Sequence, residues 1–142
     1  MDAEIAEGAQ RPQREAGTVE GKIGERILGC ALKVHRTLGP GLLESTYEAC
    51  LAHELSKAGM QVRRQVTLPL AYDGLILDQG YRLDILVEER VVIEVKAVER
   101  DPGLHRAQVL TYLKLGGYSL GYALNFNSVL LRDGVIRVVN GL

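Results

Sequence analysis

Residues 81–96 read YRLDILVEERVVIEVK, and this stretch decides the fold. Two runs rich in Val, Ile and Leu, each typical of a β-strand, are separated by the polar residues Glu88, Glu89 and Arg90. A connection this short can join antiparallel strands, whereas parallel strands need a crossover of a dozen or more residues. The sequence therefore predicts two neighbouring antiparallel strands joined by a tight turn.

Both predicted strands carry charged residues among their apolar ones. Because side chains alternate across a strand, Glu94 and Lys96 should share one face of the second strand. Asp84 should share a face with Arg82 on the first strand. Antiparallel pairing would then bring Asp84 beside Glu94 and Lys96. Burying an unpaired ion is costly, so these side chains must compensate one another or bind an ion.

Two carboxylates that face one point are natural ligands of a hard divalent cation such as Mg²⁺ or Mn²⁺. Lys96, close to both acids, is suited to orient or activate a water molecule. A structural salt-bridge network of the same three side chains is the alternative. We favour the metal site because the strand spacing, the turn length and the flanking apolar residues agree. We expect Asp84 and Glu94 to lie beneath the helix that carries Glu44.

Helical and strand patterns extend outward from this stretch on both sides. The predicted helices are 23–38, 43–59 and 104–115, and the other predicted strands are 61–72, 118–126, 128–131 and 135–139. The last two strands would form a tight hairpin around residues 132–134. The order of helix, helix, three strands, helix and strands indicates an α/β or α+β sheet layered by helices. The apolar stripe of the second helix includes Leu43.

Composition limits the class of protein. The chain has 142 residues, of which 46% are hydrophobic and 25% charged, as expected for one globular domain, here 21–142. Residues 1–20 form a polar segment that we expect to be disordered. They have a net charge of −3, which leaves +2 on the rest of the chain, so the formal net charge of −1 does not exclude a nucleic-acid partner. The apolar runs are too short for a membrane span and the N-terminus is polar, so we expect a cytoplasmic protein.

The spacing of the charged residues resembles a known signature. Asp84, nine intervening residues and then Glu94-Val95-Lys96 resemble the motif of the PD-(D/E)XK nuclease superfamily. Arg82 stands near a position where other members can carry a proline, a departure that leaves the metal ligands in place.

A second motif supports this resemblance. Residues 38–55, LGPGLLESTYEACLAHEL, contain Gly41, Glu44 and Tyr47 in the pattern of the GxxExxY family of small bacterial proteins. The similarity extends from about residue 22 to residue 140. The chain is therefore identified from its sequence as a member of this family.

The resemblance implies a restriction-endonuclease-like fold, a central mixed β-sheet flanked by helices. It also implies a metal-dependent nuclease that hydrolyses phosphodiester bonds, with Asp84, Glu94 and Val95 as metal ligands and Lys96 acting on water. The implied partner is nucleic acid, with DNA ahead of RNA, and a homodimer is compatible with the small size.

Three further residues match positions in related nucleases. Glu44 lies where an acid helps to hold the metal or its water, and Glu48, one turn later, is the rival for that role. An acid near a helix N-terminus is also favoured by the helix dipole alone. Gln108 and Tyr112 resemble the Gln-xxx-Tyr motif of RecB-like nucleases, which shapes the site and contacts nucleic acid. Gln108 could equally be an exposed polar residue, and Tyr112 a core residue.

Two other sets of residues have alternative interpretations. Three histidines at helical positions lack ligand spacing and are predicted to be surface or boundary residues: His35, His53 and His105. Four basic residues could either bind the nucleic-acid backbone or be solvated surface: Arg63, Arg64, Arg106 and Lys114. For the whole chain, the alternative to a nuclease is a non-catalytic module that binds nucleic acid or protein.

Overall fold

Five strands form one mixed sheet with helices on both faces in the computed structural model, which describes residues 17–142. The elements are α1 (Val19–Leu38), α2 (Glu44–Lys57), β1 (Val62–Tyr72), β2 (Leu75–Val87), β3 (Val91–Lys96), α3 (Pro102–Gly116), β4 (Leu120–Asn125), a 3₁₀-helix (Leu131–Gly134) and β5 (Val135–Val139). The strands lie in sequence order, with β3 and β4 parallel and the other neighbours antiparallel. The predicted mixed sheet flanked by helices is therefore confirmed.

Two hydrophobic cores lie on the two faces of the sheet. The first core packs α1 and α2 against one face and includes Ile85 of β2 and Ile93 of β3. The second core packs α3 against the other face and includes Leu86 and Val92, the sequence neighbours of those two residues. Alternation along both strands thus supplies apolar side chains to two helical layers, as expected for a sheet covered on both faces.

Helix α1 begins earlier than its apolar pattern indicated. The hydroxyl of Thr18 accepts a hydrogen bond from the Gly21 amide at 2.9 Å and caps the helix. The predicted disordered segment was 1–20. Residues 1–16 lie outside the described part of the chain, whereas Val19 and Glu20 already form the first turn of α1. No helix within residues 17–142 is long and apolar enough to cross a membrane.

The turn after β2 fixes the register of the two central strands. Val87 pairs with Val91, and Glu88 and Glu89 between them both have positive φ, 54° and 55°. Positive φ at both central residues gives a turn whose twist matches that of the flanking strands. The predicted antiparallel pair is confirmed.

The predicted hairpin near the C-terminus is wrong. β5 lies at the edge of the sheet and pairs with β4, with Leu124 opposite Val135, so β4 and β5 are the antiparallel pair and residues 128–131 lie in the connection between them. These residues instead form bends that lead into the 3₁₀-helix, and Val129 is 82% exposed. Leu43 is also exposed, because it precedes the first residue of α2 rather than lying on its buried stripe.

Candidate active site at the split between two strands

The strands β2 and β3 separate just before the predicted site. Their ladder ends at the pair Ile85 and Ile93, so Asp84 and Glu94 would be the next pair. One Asp84 oxygen, Oδ2, accepts a hydrogen bond from the Val95 amide at 2.9 Å. One Glu94 oxygen, Oε1, accepts a hydrogen bond from the Asp84 amide at 3.3 Å. Each carboxylate therefore binds the backbone of the opposite strand where the ladder has opened.

Along β2, the alternation of side chains between the two faces of the sheet breaks at Asp84, contrary to the sequence-based expectation. Leu83 and Leu86 both belong to the second core, although strict alternation would place them on opposite faces. On β1, Gln65, which lies opposite Asp84, has φ of 53°. The two carboxylates therefore meet in the gap between the strands instead of standing in a row on the face beneath α2.

Burial of this pair makes its negative charge costly. Glu94 is only 4% exposed, and burial followed by the charge of Asp84 raises its pKa to about 8. Burial also raises the pKa of Asp84, against the opposing effect of the hydrogen bond from Val95. Lys96 offsets part of this cost, since its Nζ lies 3.9 Å from Glu94 Oε2. One lysine for one buried and one half-buried carboxylate leaves an environment that favours a bound proton or cation.

Glu44 reaches the end of β3, as expected of a residue close to the site. It is the first residue of α2, and its Oε2 accepts a hydrogen bond from the Ala97 amide at 3.1 Å. Its charge contributes to the raised pKa values of Asp84 and Glu94. Glu48 is buried and points elsewhere, to donors on β1. Of the two rivals, Glu44 is the one that contacts the strand carrying Glu94.

His105 was missed by the sequence analysis, which predicted a surface or boundary residue. It is only 5% exposed, near the start of α3, and burial followed by the charge of Lys96 lowers its pKa. Its spacing of four residues from Val109 and eight from Leu113, both buried, is the signal that could have placed it on the buried side of the helix. His35 is buried as well, and only His53 is exposed as expected.

Asn125 was also missed. It is 3% exposed at the end of β4, where it pairs with Lys96 of the parallel neighbour β3. Its Nδ2 donates a hydrogen bond to the Val98 carbonyl at 2.9 Å, and its Oδ1 accepts one from the Asn127 amide at 3.1 Å. These bonds hold the segment that follows Lys96. The sequence feature that could have identified Asn125 is its position as a polar residue at the end of an otherwise apolar strand.

Gln108 and Tyr112 contact each other on α3. Gln108 Nε2 donates a hydrogen bond to the Tyr112 hydroxyl at 3.0 Å, and the Tyr112 ring stacks on Tyr81 of β2 with centroids 5.4 Å apart. Tyr112 also packs against the second core. The pair forms a rigid unit on the α3 side of β2, and its predicted contact with nucleic acid stays a prediction.

The four basic residues have different surroundings. Arg64 contacts Glu48, and Arg63 forms an ion pair with Glu89 in the turn between β2 and β3. Arg106 donates a hydrogen bond to a backbone carbonyl of β5. Arg64 is the member of this set that lies closest in the sheet to Asp84, because it pairs with Ile85.

Comparison with known proteins identifies the superfamily to which the chain belongs. A family model of the PD-(D/E)XK nuclease superfamily matches residues 21–138. The chain belongs to the PD-(D/E)XK nuclease superfamily. No match was found among curated proteins or among solved structures. Membership of the superfamily indicates nuclease activity, which in PD-(D/E)XK proteins generally uses divalent metal ions.

The side chains at the split suit such an ion only in part. Within residues 17–142, no three His, Cys, Asp or Glu side chains are grouped closely enough to hold a metal. Asp84 and Glu94 supply two carboxylates whose raised pKa values reflect an unmet need for positive charge. Val95 adds only backbone atoms, and its amide already donates to Asp84. The residues of this PD-(D/E)XK chain thus fit a cation held by two carboxylates and completed by water or substrate oxygens.

Proposed function

We propose that this protein is a metal-dependent nuclease that hydrolyses phosphodiester bonds at the split between β2 and β3. The observation that carries the proposal is the crossed pair of Asp84 and Glu94. Glu94 is buried and Asp84 is half-buried, each accepts a hydrogen bond from the opposite strand, the two repel each other, and one lysine lies beside Glu94. A purely structural ion-pair network would be expected to balance its charges more evenly.

Each residue has a distinct role in this proposal. Asp84 and Glu94 would hold Mg²⁺ or Mn²⁺, and the Val95 carbonyl is the backbone atom able to join them. The chemistry that the cation supplies is neutralisation of charge on the phosphate and activation of water. Lys96, whose side chain is 18% exposed, would orient the attacking water and stabilise negative charge that develops on the phosphate. Glu44 would hold water at the rim.

The proposal also covers the family, the substrate, the residues that contact nucleic acid, and the oligomeric state and location of the protein. Within the superfamily we assign the chain to the GxxExxY family on the pattern of Gly41, Glu44 and Tyr47, and DNA is the first substrate to test, ahead of RNA. Gln108 and Tyr112 would contact the nucleic-acid backbone from the α3 side. A homodimer in the cytoplasm is the expected form of the protein.

The test is a cleavage assay on a panel of substrates. Purified protein is incubated with labelled single-stranded, duplex and branched DNA and RNA, with Mg²⁺, Mn²⁺ or EDTA. We expect cleavage of at least one substrate with a divalent ion and none with EDTA. The Asp84→Asn variant is prepared in parallel, and its inactivity would exclude a contaminating nuclease.

A different outcome would favour the non-catalytic alternative. If the wild type cleaves nothing but binds nucleic acid in a salt-sensitive way, the protein is better described as a binding module that keeps the nuclease fold.

A further inference from the structure

Glu48 holds a cationic side chain of β1 near the carboxylate pair. It is 6% exposed, and its two oxygens accept hydrogen bonds from Arg64 Nε at 2.9 Å and Gln65 Nε2 at 2.7 Å. A buried carboxylate without partners is costly, so these two donors make the position of Glu48 possible. In return, Glu48 fixes the guanidinium of Arg64 in one place.

The backbone of β1 is distorted to allow this contact. Arg64 and Gln65 are consecutive residues of a strand, yet both reach the same glutamate, whereas regular alternation would send them to opposite faces. The left-handed φ of 53° at Gln65 accompanies the change. Such a conformation is strained in a residue other than glycine, and strain of this kind is concentrated at functional sites.

This arrangement lies next to the site proposed for cleavage. Arg64 pairs with Ile85, the neighbour of Asp84, and the charge of Glu48 contributes to the raised pKa of Asp84. Along α2, Glu48 follows Glu44 by four residues, or about 6 Å of helix axis. Glu44 in turn contacts the end of β3. Arg64 is therefore held about one helical turn from the rim of the site.

We propose that Arg64, positioned by Glu48, contacts the phosphate backbone of the nucleic acid beside the bond that is cleaved. This inference rests on the proposed nuclease function. The Arg64 side chain remains 44% exposed while its Nε binds Glu48, which leaves the outer donors of the guanidinium for a ligand. Phosphate charges recur about every 3.4 Å of axis along a strand, and arginine matches phosphate oxygens well. Arg64 would thus add affinity without taking part in the chemistry.

Arg63 provides a matched control one residue away. Its side chain is 55% exposed, similar to that of Arg64, but it forms an ion pair with Glu89 in the turn between β2 and β3. Changing either arginine to Gln removes one surface charge from the same strand. Gln at position 64 also keeps a donor for Glu48, so the buried carboxylate is not left without that partner.

The experiment measures binding of labelled DNA and RNA by fluorescence anisotropy in EDTA, which prevents cleavage, across a range of salt concentrations. We expect Arg64→Gln to weaken binding about fivefold or more at 50 mM salt and to lower the slope of log K against log[salt] by about 0.7–0.9, the loss of one phosphate contact. Arg63→Gln should change the affinity less than about twofold. Arg64→Lys should keep the slope of the wild type, because it keeps the charge.

Three results would overturn the inference. If the wild type binds and Arg64→Gln binds equally well with the same slope, Arg64 only supports Glu48, and the nuclease proposal is unaffected. Equal losses in the two Gln variants would indicate a general effect of charge. A wild type that binds none of the nucleic acids would contradict this inference and the proposed function together. If Arg64→Gln does not fold, Arg64→Met and Arg63→Met are compared in its place, and equal affinities and slopes for these two variants would contradict the inference.

Discussion

Asp84 and Glu94 are ionisable groups that each also accept a hydrogen bond from a backbone amide of the opposite strand. Where β2 and β3 part, the carboxylates take the hydrogen bonds that carbonyls would otherwise accept. This explains how two acids can lie so close in a sheet interior without a full set of counter-charges. Because these hydrogen bonds exist only where β2 and β3 separate, the geometry of the split affects the ionisation of both carboxyl groups.

The raised pKa of Glu94 makes stability depend on pH in the metal-free protein. A carboxyl whose pKa is raised by folding binds its proton more tightly in the folded state, so it stabilises the fold below its ordinary pKa of 4.5. That contribution is lost as the pH rises through about 8. Urea unfolding in EDTA should therefore show the free energy of unfolding of the wild type falling between pH 5 and pH 8. The fall should be smaller in Glu94→Gln.

Glu99→Gln is the control for this measurement, because Glu99 is exposed in the segment between β3 and α3. Its profile should follow that of the wild type. Identical profiles for Glu94→Gln and the wild type would mean that Glu94 is not the group whose burial matters.

Substitutions of Lys96 and of Asp84 should differ in their effects on cleavage and on stabilisation by the cation. Lys96→Ala should reduce the cleavage rate by about 100-fold or more, the scale for loss of a general base or an electrostatic group, but should keep the rise in melting temperature caused by Mg²⁺ or Mn²⁺. Asp84→Asn should lose both, since it removes a metal ligand. Thermal unfolding with and without the cation, alongside cleavage rates, makes the comparison. Loss of the cation response in Lys96→Ala would show that the roles are not separate.

The identity of the acidic pair could be predicted from sequence, because its spacing and the short turn leave one register. The contacts of Glu48 could not, since they depend on the left-handed conformation of Gln65, and nothing in that residue type favours positive φ. His105 was misplaced because polarity was given more weight than its helical spacing from buried residues.

At the scale of elements, the sequence correctly predicted the central strands and the helices, because these depend on local patterns. The central strands and the three helices follow from apolar periodicity and from breaks at Gly39 and Gly117, both of positive φ. The strand at 128–131 was wrongly predicted because its residues are as apolar as those of a true strand. These residues lie in the connection between β4 and β5, and their local apolarity does not show that β5 pairs with β4 instead of with them.

Close packing of α1 on the sheet gives a prediction for two glycines of one helix. A Cβ on Gly24 would meet the hydroxyl of Tyr122, a side chain that is fully buried and cannot move away. Gly24→Ala should therefore destabilise the protein by about 1–3 kcal/mol, as overpacking does. Gly29 has nothing within 4 Å of such a Cβ, so Gly29→Ala should stabilise it by about 0.5–1 kcal/mol through helix propensity. Denaturant unfolding measures both, and a stable Gly24→Ala would contradict the packing.

At the scale of the whole molecule, the site lies where both helical layers reach the open end of the strand pair. α2 contributes Glu44 from one side, and α3 contributes His105, whose pKa is affected by the charge of Lys96, from the other. Glu44 is the first residue of α2 and His105 lies near the start of α3, and helix N-termini favour anions. The fold thus combines a paired-carboxylate site with surroundings suited to a phosphate group.

The rate of cleavage of one labelled nucleic acid, measured for the wild type, Asp84→Asn and Glu94→Gln at saturating Mg²⁺ or Mn²⁺, tests the central claim most directly. The substrate is the one that the wild type cleaves best in the panel. We predict cation-dependent cleavage by the wild type and at least about a 100-fold lower rate in each variant, because each has lost one of the two proposed metal ligands. Equal rates in the wild type and both variants would contradict the claim that this carboxylate pair is the active site.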